Sequence, residues 1–255
     1  MSALLEVRGV SVSYGGVRAV VDVDLDVHAG ELVGLIGPNG AGKTTFIDAL
    51  TGFVRCSGRV TLDGRDLSGL SPHRRAGHGL ARTWQTIELF SDLTVGENLA
   101  VASHRTSAWT ALGELVRRPG AGSAAANDAL ALLDLEALAD VMPDELSQGE
   151  RMLVGVARAL AAEPRVICLD EPAAGLDTRE SAELGRCLRQ VVDAGTSILL
   201  IDHDMGLVLG VSDRVVVLEF GEVIAAGAPD AVRGDPRVIA AYLGGDRAHE
   251  LEAAR

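Results

Sequence analysis

The residues best suited to chemistry form a glycine-rich run, Gly-Pro-Asn-Gly-Ala-Gly-Lys-Thr, at positions 37–44. Its three glycines would let the backbone turn so that successive N–H groups converge on phosphate oxygens, aided by the N-terminus of a following helix. Lys43 would supply a positive charge to the β- and γ-phosphates, and the hydroxyl of Thr44 would ligate Mg²⁺. The alternative is an ordinary glycine-rich turn. The complete pattern after an apolar run favours binding and hydrolysis of a nucleoside triphosphate.

Lys43 is also the only lysine in the chain, since every other one of the 23 Lys and Arg residues is arginine. A compact ammonium fits inside a tight loop, whereas a planar guanidinium does not. The use of lysine at this one position, where all other basic positions have arginine, supports the phosphate-binding interpretation independently of the glycine-rich motif.

An acidic pair, Asp170 and Glu171, follows the apolar run at 166–169. Because the ends of strands in an open parallel sheet face the ligand crevice, both acids would face the phosphates. Asp170 would hold the magnesium through water, and Glu171 would polarise a water for in-line attack on the γ-phosphate. The two acids could instead simply end a strand and begin a loop. Their occurrence together with Lys43 favours the catalytic interpretation.

The segment Leu-Ser-Gln-Gly-Glu at 146–150 precedes a long amphipathic pattern. Ser147 and Glu150 have the spacing of a capping box, which would explain the pair as a helix start. Alternatively, the hydroxyl of Ser147 and the amide of Gly149 would meet an anion at that helix N-terminus. Spacing alone leaves both interpretations open.

Hydrophobic periodicity predicts the elements that position these residues. Alternation of apolar and polar residues predicts strands at 5–7, 10–14 and 21–27, with a hairpin turn at Gly15-Gly16. The apolar run 32–36 predicts a buried strand that leads into the phosphate loop. A helix follows this loop. Further strands are expected at 166–169, 197–201, 215–218 and 222–226, and further helices at about 148–162, at about 178–194 and in the tail. Strands alternating with helices imply a largely parallel sheet with helices on its faces.

The region at about 86–146 differs from its flanks. It contains a capping-box helix start at 94–97, a breaker, and an alanine- and leucine-rich helix at about 124–139. We therefore predict one α/β domain over 1–255, in which a P-loop NTPase core comprises 1–85 and 147–255. The core has a mainly parallel sheet and an N-terminal antiparallel β subdomain, and residues 86–146 form an inserted α-helical subdomain.

Composition limits the remaining possibilities. The net charge of −13 and the pI near 4.8 argue against a broad nucleic-acid surface, which would require a basic face. The three cysteines have no metal-ligand spacing and are expected to be reduced. The sequence predicts no signal peptide and no membrane helix, and therefore a soluble cytoplasmic chain that reaches a membrane through a partner.

The motifs occur in a fixed order: the loop at 37–44, Gln85, Leu-Ser-Gln-Gly-Glu at 146–150, Leu-Asp-Glu-Pro at 169–172, Ala-Gly-Leu-Asp at 174–177, and His203. Together they resemble the nucleotide-binding subunit of an ATP-binding cassette (ABC) transporter, over essentially the whole chain. The resemblance implies ATP and Mg²⁺ as cofactors. The implied catalytic residues are Glu171, His203 and Lys43, and the implied metal ligands are Thr44, Gln85 and Asp170. The implied ATP-binding residues are Tyr14, Gly37, Pro38, Asn39, Gly40, Ala41, Gly42, Lys43, Thr44, Thr45, Gln85, Ser147, Gly149 and Asp177.

The resemblance also implies individual roles within one subunit. Tyr14 would stack on adenine, although a tyrosine in an alternating strand could simply pack on the sheet. Gln85 would sense the γ-phosphate and magnesium, with a polar loop residue as the alternative. His203 would contact the γ-phosphate, and the alternative is an exposed loop histidine.

Two such subunits would sandwich two nucleotides. Ser147 and Gly149 would then serve the ATP bound by the opposite subunit, and Asp177 would couple the two sites across the interface. Asp177 could also cap the next helix with Glu180, which is compatible with that role.

The segment at 146–150 departs from the usual Leu-Ser-Gly-Gly-Gln of the family, because Gln148 replaces a glycine and Glu150 replaces the glutamine. A carboxylate near the γ-phosphate should be unfavourable unless Glu150 folds back to cap the helix. The departure therefore bears on the strength of ATP-driven dimerisation.

Several segments resemble the larger ATPase subunit of branched-chain amino acid importers: Ala-Arg-Thr-Trp-Gln at 81–85, the run at 89–99, Pro-Ala-Ala-Gly-Leu-Asp at 172–177, Asp-His-Asp-Met at 202–205, and the tail at 236–244. This implies an ATPase that energises an importer of branched-chain amino acids or related amides, peripheral on the inner face of the cell membrane. The implied partners are a second ATPase subunit, identical or different, membrane permeases and an extracytoplasmic substrate-binding protein, with no nucleic acid.

The rival interpretations are an ABC exporter, for example of lipid, and a soluble cassette ATPase that acts on DNA or ribosomes. Members of the second class carry a long coiled coil or tandem cassettes. Neither feature fits 255 residues with a short helical insertion.

Overall fold

A computed structural model of the chain describes residues 3–83, 88–103 and 123–243. These residues form two compact units, one comprising Met1–Gln85 with Arg165–Arg255 and the other comprising Thr86–Pro164. The sequence-based boundary differs at residues 147–164, which were expected in the core. Residues 148–160 form a helix that contacts the two preceding helices of the second unit.

The first unit contains two sheets in its described part. An antiparallel sheet has the order β2-β1-β4-β5, with β1 Leu5–Tyr14, β2 Val17–Val27, β4 Ser57–Leu62 and β5 Arg65–Asp66. A second sheet has the order β10-β9-β3-β8-β7-β6, with β3 Leu32–Ile36, β6 Leu80–Arg82, β7 Val166–Asp170, β8 Ser197–Ile201, β9 Arg214–Glu219 and β10 Glu222–Gly227. All pairings in this second sheet are parallel except β9 with β10. The predicted α/β core with an antiparallel β subdomain is confirmed.

The helices of this unit are α1 Lys43–Thr51, α2 Pro72–Gly77, α6 Thr178–Asp193, α7 Met205–Val211, α8 Pro229–Arg233 and α9 Pro236–Leu243. The described part of the second unit contains α3 Val95–Ser103, α4 Ala124–Leu132, short 3₁₀ turns at Glu136–Leu138 and Pro143–Glu145, and α5 Gln148–Leu160. None of the helices in the described ranges combines the length and apolarity that crossing a bilayer requires.

One hydrophobic cluster joins α1 to both sheets of the first unit. It includes Phe46 and Leu50 from α1, Val7 from the antiparallel sheet, and Leu35 and Ile201 from the parallel sheet, all fully buried. Each such side chain contributes roughly 1.5–3 kcal/mol relative to remaining exposed. Burial on two sides therefore holds α1, and with it the preceding loop, in a fixed position.

Arg75 of α2 stabilises the other end of α1. Its buried guanidinium donates from Nη1 to the carbonyl oxygens of Ala49 at 2.9 Å and Leu50 at 2.6 Å. The last carbonyls of a helix lack intrahelical partners and carry partial negative charge, which a cation satisfies. Arg75 therefore closes α1 at the end opposite the phosphate loop.

Several local predictions were wrong in their bounds, among them the strand expected at 21–27, which is β2 and begins at Val17. The strands expected at 5–7 and 10–14 are the single strand β1, which has register shifts between Val7 and Val10 and a left-handed Gly9 (φ 60°). The helix expected at about 124–139 ends at Leu132, and Asp134 then adopts φ 57°. Both irregularities lie in backbone conformations that an apolar pattern does not encode.

Candidate nucleotide-binding site

The loop at 37–42 connects β3 to α1, and close neighbours require two of its three glycines. A Cβ atom on Gly37 would lie 2.1 Å from the carbonyl oxygen of Leu218, and one on Gly42 would lie 2.3 Å from that of Ala19. Gly42 also has φ 100° and forms the N-cap of α1. Gly40 has no atom within 4 Å of such a Cβ, so only its φ of 79° favours glycine there.

The turn between β9 and β10 braces this loop. Gly221 donates from its N–H to the carbonyl of Ala41 at 3.0 Å, and Val21 donates from its N–H to the carbonyl of Gly221 at 2.8 Å. Backbone hydrogen bonds thus link the loop to the β9–β10 turn, and that turn to β2. Such restraint fixes the N–H groups in advance of ligand binding, which lowers the entropic cost of binding.

Lys43 is the first residue of α1, and its side chain is folded into the loop. Its Nζ atom donates to the carbonyl oxygens of Gly37 at 2.7 Å and Pro38 at 3.1 Å, and the residue is buried. Asn39 and Thr44 are exposed, and Thr45 is half-buried. A phosphate oxygen is a stronger acceptor for an ammonium than a neutral carbonyl, so the geometry suits an exchange of partners.

Strand order brings the other candidate residues to the same edge of the sheet. In the order β3-β8-β7 the three strands run parallel, so the loop after Ile36, the acid pair at the end of β7 and His203 after β8 all follow carboxyl ends. Ligands of open α/β sheets bind at such an edge. The topology therefore groups the residues that the sequence analysis selected separately.

Asp170 ends β7 and is 2% exposed. Its Oδ2 atom accepts a hydrogen bond from Nη2 of Arg82 at 2.9 Å, while Oδ1 is buried without a hydrogen-bond partner among the described residues. Burial raises the pKa of Asp170, and the positive charge of Arg82 opposes that shift. A buried carboxylate oxygen without a donor is rare, and it fits a position that receives a cation.

Glu171 and His203 lie beside each other. Oε2 of Glu171 is 4.0 Å from Nδ1 of His203, and the Glu171 N–H donates to the carbonyl of Ile201 at 2.7 Å. Glu171 has φ 51°, a left-handed conformation that is uncommon outside glycine and typical of functional sites. Its side chain remains 25% exposed, so water can reach the carboxylate.

Asp202 supports this arrangement from the interior. It is buried, and its two carboxylate oxygens accept the N–H groups of Ala173 at 2.8 Å and Asp204 at 2.9 Å. Burial raises its pKa, while those two hydrogen bonds act in the opposite direction. Asp202 thereby joins the segment after β7 to the segment after β8.

The capping boxes predicted at 147–150 and 177–180 are both confirmed. Oγ of Ser147 accepts the Glu150 N–H at 3.2 Å, and Oε2 of Glu150 accepts the Ser147 N–H at 2.8 Å. Asp177 caps α6 with Glu180 in the same way. Ser147 is exposed and Gly149 half-buried in the first turn of α5. Glu150 therefore folds back onto the helix start, the conformation that keeps its carboxylate compatible with a nearby anion.

Tyr14 and Gln85 were also expected to contact the nucleotide. Tyr14 is the last residue of β1, pairs with Val17 and is 51% exposed, so its ring is available for stacking. Gln85 lies outside the described residues.

A cleft of about 660 Å³ between α6 and α7 is lined by Asp177, Ser181, Arg189 and Asp204, among others. It contains none of the phosphate-loop residues, and Asp177 is the one candidate site residue among those that line it.

Sequence reasoning missed Arg82, the residue that contacts Asp170. The only signal was its place in Ala-Arg-Thr-Trp-Gln, three residues before Gln85. It also missed the carbonyls of Ala19 and Leu218 that press against the loop glycines, because such contacts between distant segments leave no local pattern.

The residues present fit a magnesium nucleotide. The loop is so close to neighbouring backbone that glycine alone fits at positions 37 and 42, as a phosphate cradle requires. A buried lysine ammonium supplies charge, and Oδ1 of Asp170, which accepts no hydrogen bond from the described residues, suits a hard cation.

Comparison with known proteins agrees with this geometry. Residues 20–174 match the family of ABC transporters, and residues 222–248 match the family described as branched-chain amino acid ATP-binding cassette transporter. The chain is 41% identical over 249 residues to the high-affinity branched-chain amino acid transport ATP-binding protein LivG of Salmonella typhimurium, covering 94% of this chain and 98% of that protein. It is 37% identical over 245 residues to the lipopolysaccharide export system ATP-binding protein LptB of Escherichia coli, covering 96% and 98%.

Solved structures give the same result. An ATP-binding cassette of an ABC transporter, in its ADP conformation, superposes with a TM-score of 0.84 at 30% identity, covering 96% of this chain and 100% of the other. With a family match over more than half of its length and relatives that it covers almost end to end, the chain belongs to the ABC transporter family as an ATP-binding, ATP-hydrolysing subunit.

Proposed function

We propose that this subunit energises a membrane importer of branched-chain amino acids or related amino acids and amides. The observation that carries the proposal is the tail, whose residues 222–248 match the branched-chain amino acid cassette family separately from the general ABC match. The relatives LivG and BraF, at 41% and 38% identity, are both branched-chain amino acid transport proteins by name.

In the proposed mechanism the loop binds the β- and γ-phosphates through its N–H groups while Lys43 transfers its hydrogen bonds from carbonyls to phosphate oxygens. Thr44, Asp170 and Gln85 are the proposed ligands, direct or through water, of Mg²⁺, which would neutralise developing charge on the phosphates. Tyr14 stacks on the adenine ring. The chain thus contributes positioning and fixed charge, the main requirements of phosphoryl transfer.

Glu171 is the proposed general base. Its carboxylate is partly exposed and stands at the carboxyl edge of the sheet, where it can accept a proton from an attacking water. His203, 4.0 Å away, would orient the γ-phosphate against that water. Asp202 holds the two segments together, so the pair keeps its spacing.

The complete site requires a second ATPase subunit, identical or different. Ser147 and Gly149 of that subunit would bind the γ-phosphate at the N-terminus of α5, and Asp177 would contact the opposite site. The other proposed partners are membrane permeases and an extracytoplasmic substrate-binding protein, with the ATPase on the cytoplasmic face of the membrane.

The test is reconstitution of the chain with its permeases in vesicles that contain ATP and Mg²⁺ on the ATPase side. We expect ATP-dependent accumulation of labelled leucine that requires the binding protein, and none when Lys43→Ala replaces the chain. Transport of none of the branched-chain amino acids or their amides would contradict the assigned substrate class.

The second candidate, a lipid exporter, is supported by the 37% identity to LptB. The tail match favours import, because it names the amino acid cassette family. The same vesicles distinguish the two candidates, since an exporter would hydrolyse ATP without a binding protein and would move its cargo in the opposite direction. Purification with ribosomes or DNA and without a membrane protein would contradict both.

A further inference from the structure

Arg82, the last residue of β6, joins two acidic side chains of the first unit, Asp170 and Asp48. Its side chain is 5% exposed. Nη2 donates to Oδ2 of Asp170 at 2.9 Å, and Nη1 donates to Oδ1 of Asp48. Asp48 belongs to α1, the helix that begins at Lys43. One side chain therefore connects the helix after the phosphate loop to the strand that ends in the proposed metal ligand.

The backbone around Arg82 is fixed as well. Strands β6 and β7 pair in parallel with Arg82 opposite Cys168, and the Thr83 N–H donates to the carbonyl of Cys168 at 3.0 Å. The guanidinium also lies 5.8 Å from the ring centroid of Phe53, within the range of a cation–π contact. A planar fork held in this way restricts the orientation of any carboxylate bound to it.

The two oxygens of Asp170 consequently have different surroundings. Oδ2 is occupied by the guanidinium, whereas Oδ1 is buried and accepts no hydrogen bond from the described residues. A free carboxylate can rotate and present either oxygen, but one held by arginine presents a single defined oxygen. Metal ligands that are oriented by an outer partner bind more tightly than unrestrained ones.

We propose that Arg82 is a positioning residue for the magnesium of this site. It holds Oδ2 of Asp170 and leaves Oδ1 for the cation, and through Asp48 it ties that carboxylate to α1 and the phosphate loop. The inference rests on the proposed role of Asp170 as a metal ligand. Arg82 does not touch the nucleotide in this proposal, so its loss should change the response to magnesium rather than the affinity for the nucleotide alone.

The experiment measures binding of a fluorescent ATP analogue to the full chain, with Mg²⁺ titrated at fixed nucleotide, and repeats the measurement in EDTA. For Arg82→Ala we expect the Mg²⁺ concentration at half-saturation to rise by about tenfold or more, the usual effect of removing an outer-shell partner. Affinity in EDTA should remain near that of the wild type. An equal loss with and without Mg²⁺, or an unchanged half-saturation, would overturn the proposal.

Two further variants test whether the effect of Arg82→Ala arises from a general loss of stability. Arg82→Lys keeps the charge but not the fork, so it should fold and give an intermediate Mg²⁺ requirement; a wild-type value would count against positioning. Arg214→Ala removes a partly buried ion pair with Glu31 in the same unit, away from the loop. Arg214→Ala should lower thermal stability without changing the Mg²⁺ requirement. If its Mg²⁺ requirement rose as much as that of Arg82→Ala, the effect of Arg82→Ala would be explained by destabilisation alone.

Asp170→Asn distinguishes this inference from the proposed function. If it raises the Mg²⁺ requirement and Arg82→Ala does not, Asp170 is a ligand and only the role of Arg82 is wrong. If Asp170→Asn leaves the requirement unchanged, the assignment of Asp170 fails, and the inference fails with it.

Discussion

Nδ1 of His203 lies 4.0 Å from Oε2 of Glu171, although the two residues follow different strands of the parallel sheet. The Glu171 N–H donates to the carbonyl of Ile201 at the end of the neighbouring strand, and this hydrogen bond brings the segments together. Glu171 also adopts a left-handed backbone conformation. The two side chains therefore share the carboxyl edge of the parallel sheet, where ligands of open α/β sheets bind.

The first prediction concerns Glu171, the proposed general base. Glu171→Gln should reduce single-turnover ATP hydrolysis in the assembled transporter by about 100-fold or more, the usual contribution of a general base. Nucleotide affinity should change little, because the amide keeps the shape of the side chain. The control is Glu222→Gln on the exposed face of β10. Hydrolysis at the wild-type rate in the Glu171 variant would rule out the assignment.

The second prediction compares alanine substitutions at two glycines of the loop, Gly40 and Gly42. Gly42→Ala places a Cβ 2.3 Å from the carbonyl of Ala19 and should abolish ATP binding and destabilise the fold. Gly40→Ala meets no atom within 4 Å and carries only the left-handed penalty, roughly 1–2 kcal/mol. Melting curves and ATP titrations of the two variants should therefore differ clearly. Equal behaviour would show that backbone conformation, rather than the close approach of Ala19, decides both positions.

The third prediction concerns Glu150. Glu150→Gln retains an acceptor for the Ser147 N–H, so α5 should keep its start, while one negative charge is removed from the helix N-terminus. In a Glu171→Gln background, ATP-driven dimerisation should strengthen, measured by sedimentation at several ATP concentrations. Glu150→Ala is the comparison, since it removes both charge and cap. Weaker association of the Gln variant would mean that the carboxylate itself contributes to the interface.

The fourth prediction follows from the proposal that two subunits complete each site. The isolated chain should bind MgATP but hydrolyse it slowly, with specific activity rising steeply with protein concentration or with added partner. Ser147→Ala should reduce that rise without lowering ATP affinity at low concentration. A fast, concentration-independent rate in a verified monomer would show that one subunit carries a complete site.

The fifth prediction concerns thiol reactivity. Burial raises the pKa of Cys168 to about 12, so at pH 8 its reactive thiolate is present at a fraction on the order of 10⁻⁴. Cys187 is also buried, whereas Cys56 is only partly buried. A disulfide reagent should therefore modify Cys56 first and Cys168 only on unfolding. Early modification of Cys168 in the folded protein would contradict the packing of β7.

The sequence was most informative where structure is local. The apolar run 32–36, the acid pair after 166–169 and the capping boxes at 147 and 177 were predicted at or near their observed positions. In each case a short pattern carries its own physical requirement, such as two-sided burial or a satisfied helix N-terminus.

Non-local features were not predictable in this way. The contact of Arg82 with Asp170 joins residues 88 positions apart, and nothing in either neighbourhood encodes it. Placement of α5 with the helical unit depends likewise on which distant surfaces it packs against. The end of α4 at Leu132 was missed because the leucine pattern continues through the left-handed Asp134.

The position of Lys43 has an analytical consequence. Its Nζ atom, bonded to the carbonyls of Gly37 and Pro38, belongs to the only ε-amine in the sequence. A lysine-directed acylating reagent therefore has one side-chain target, and that target lies within the phosphate loop. The extent of side-chain acylation, followed by intact mass with and without ATP, would report directly on how many loops in a preparation hold nucleotide.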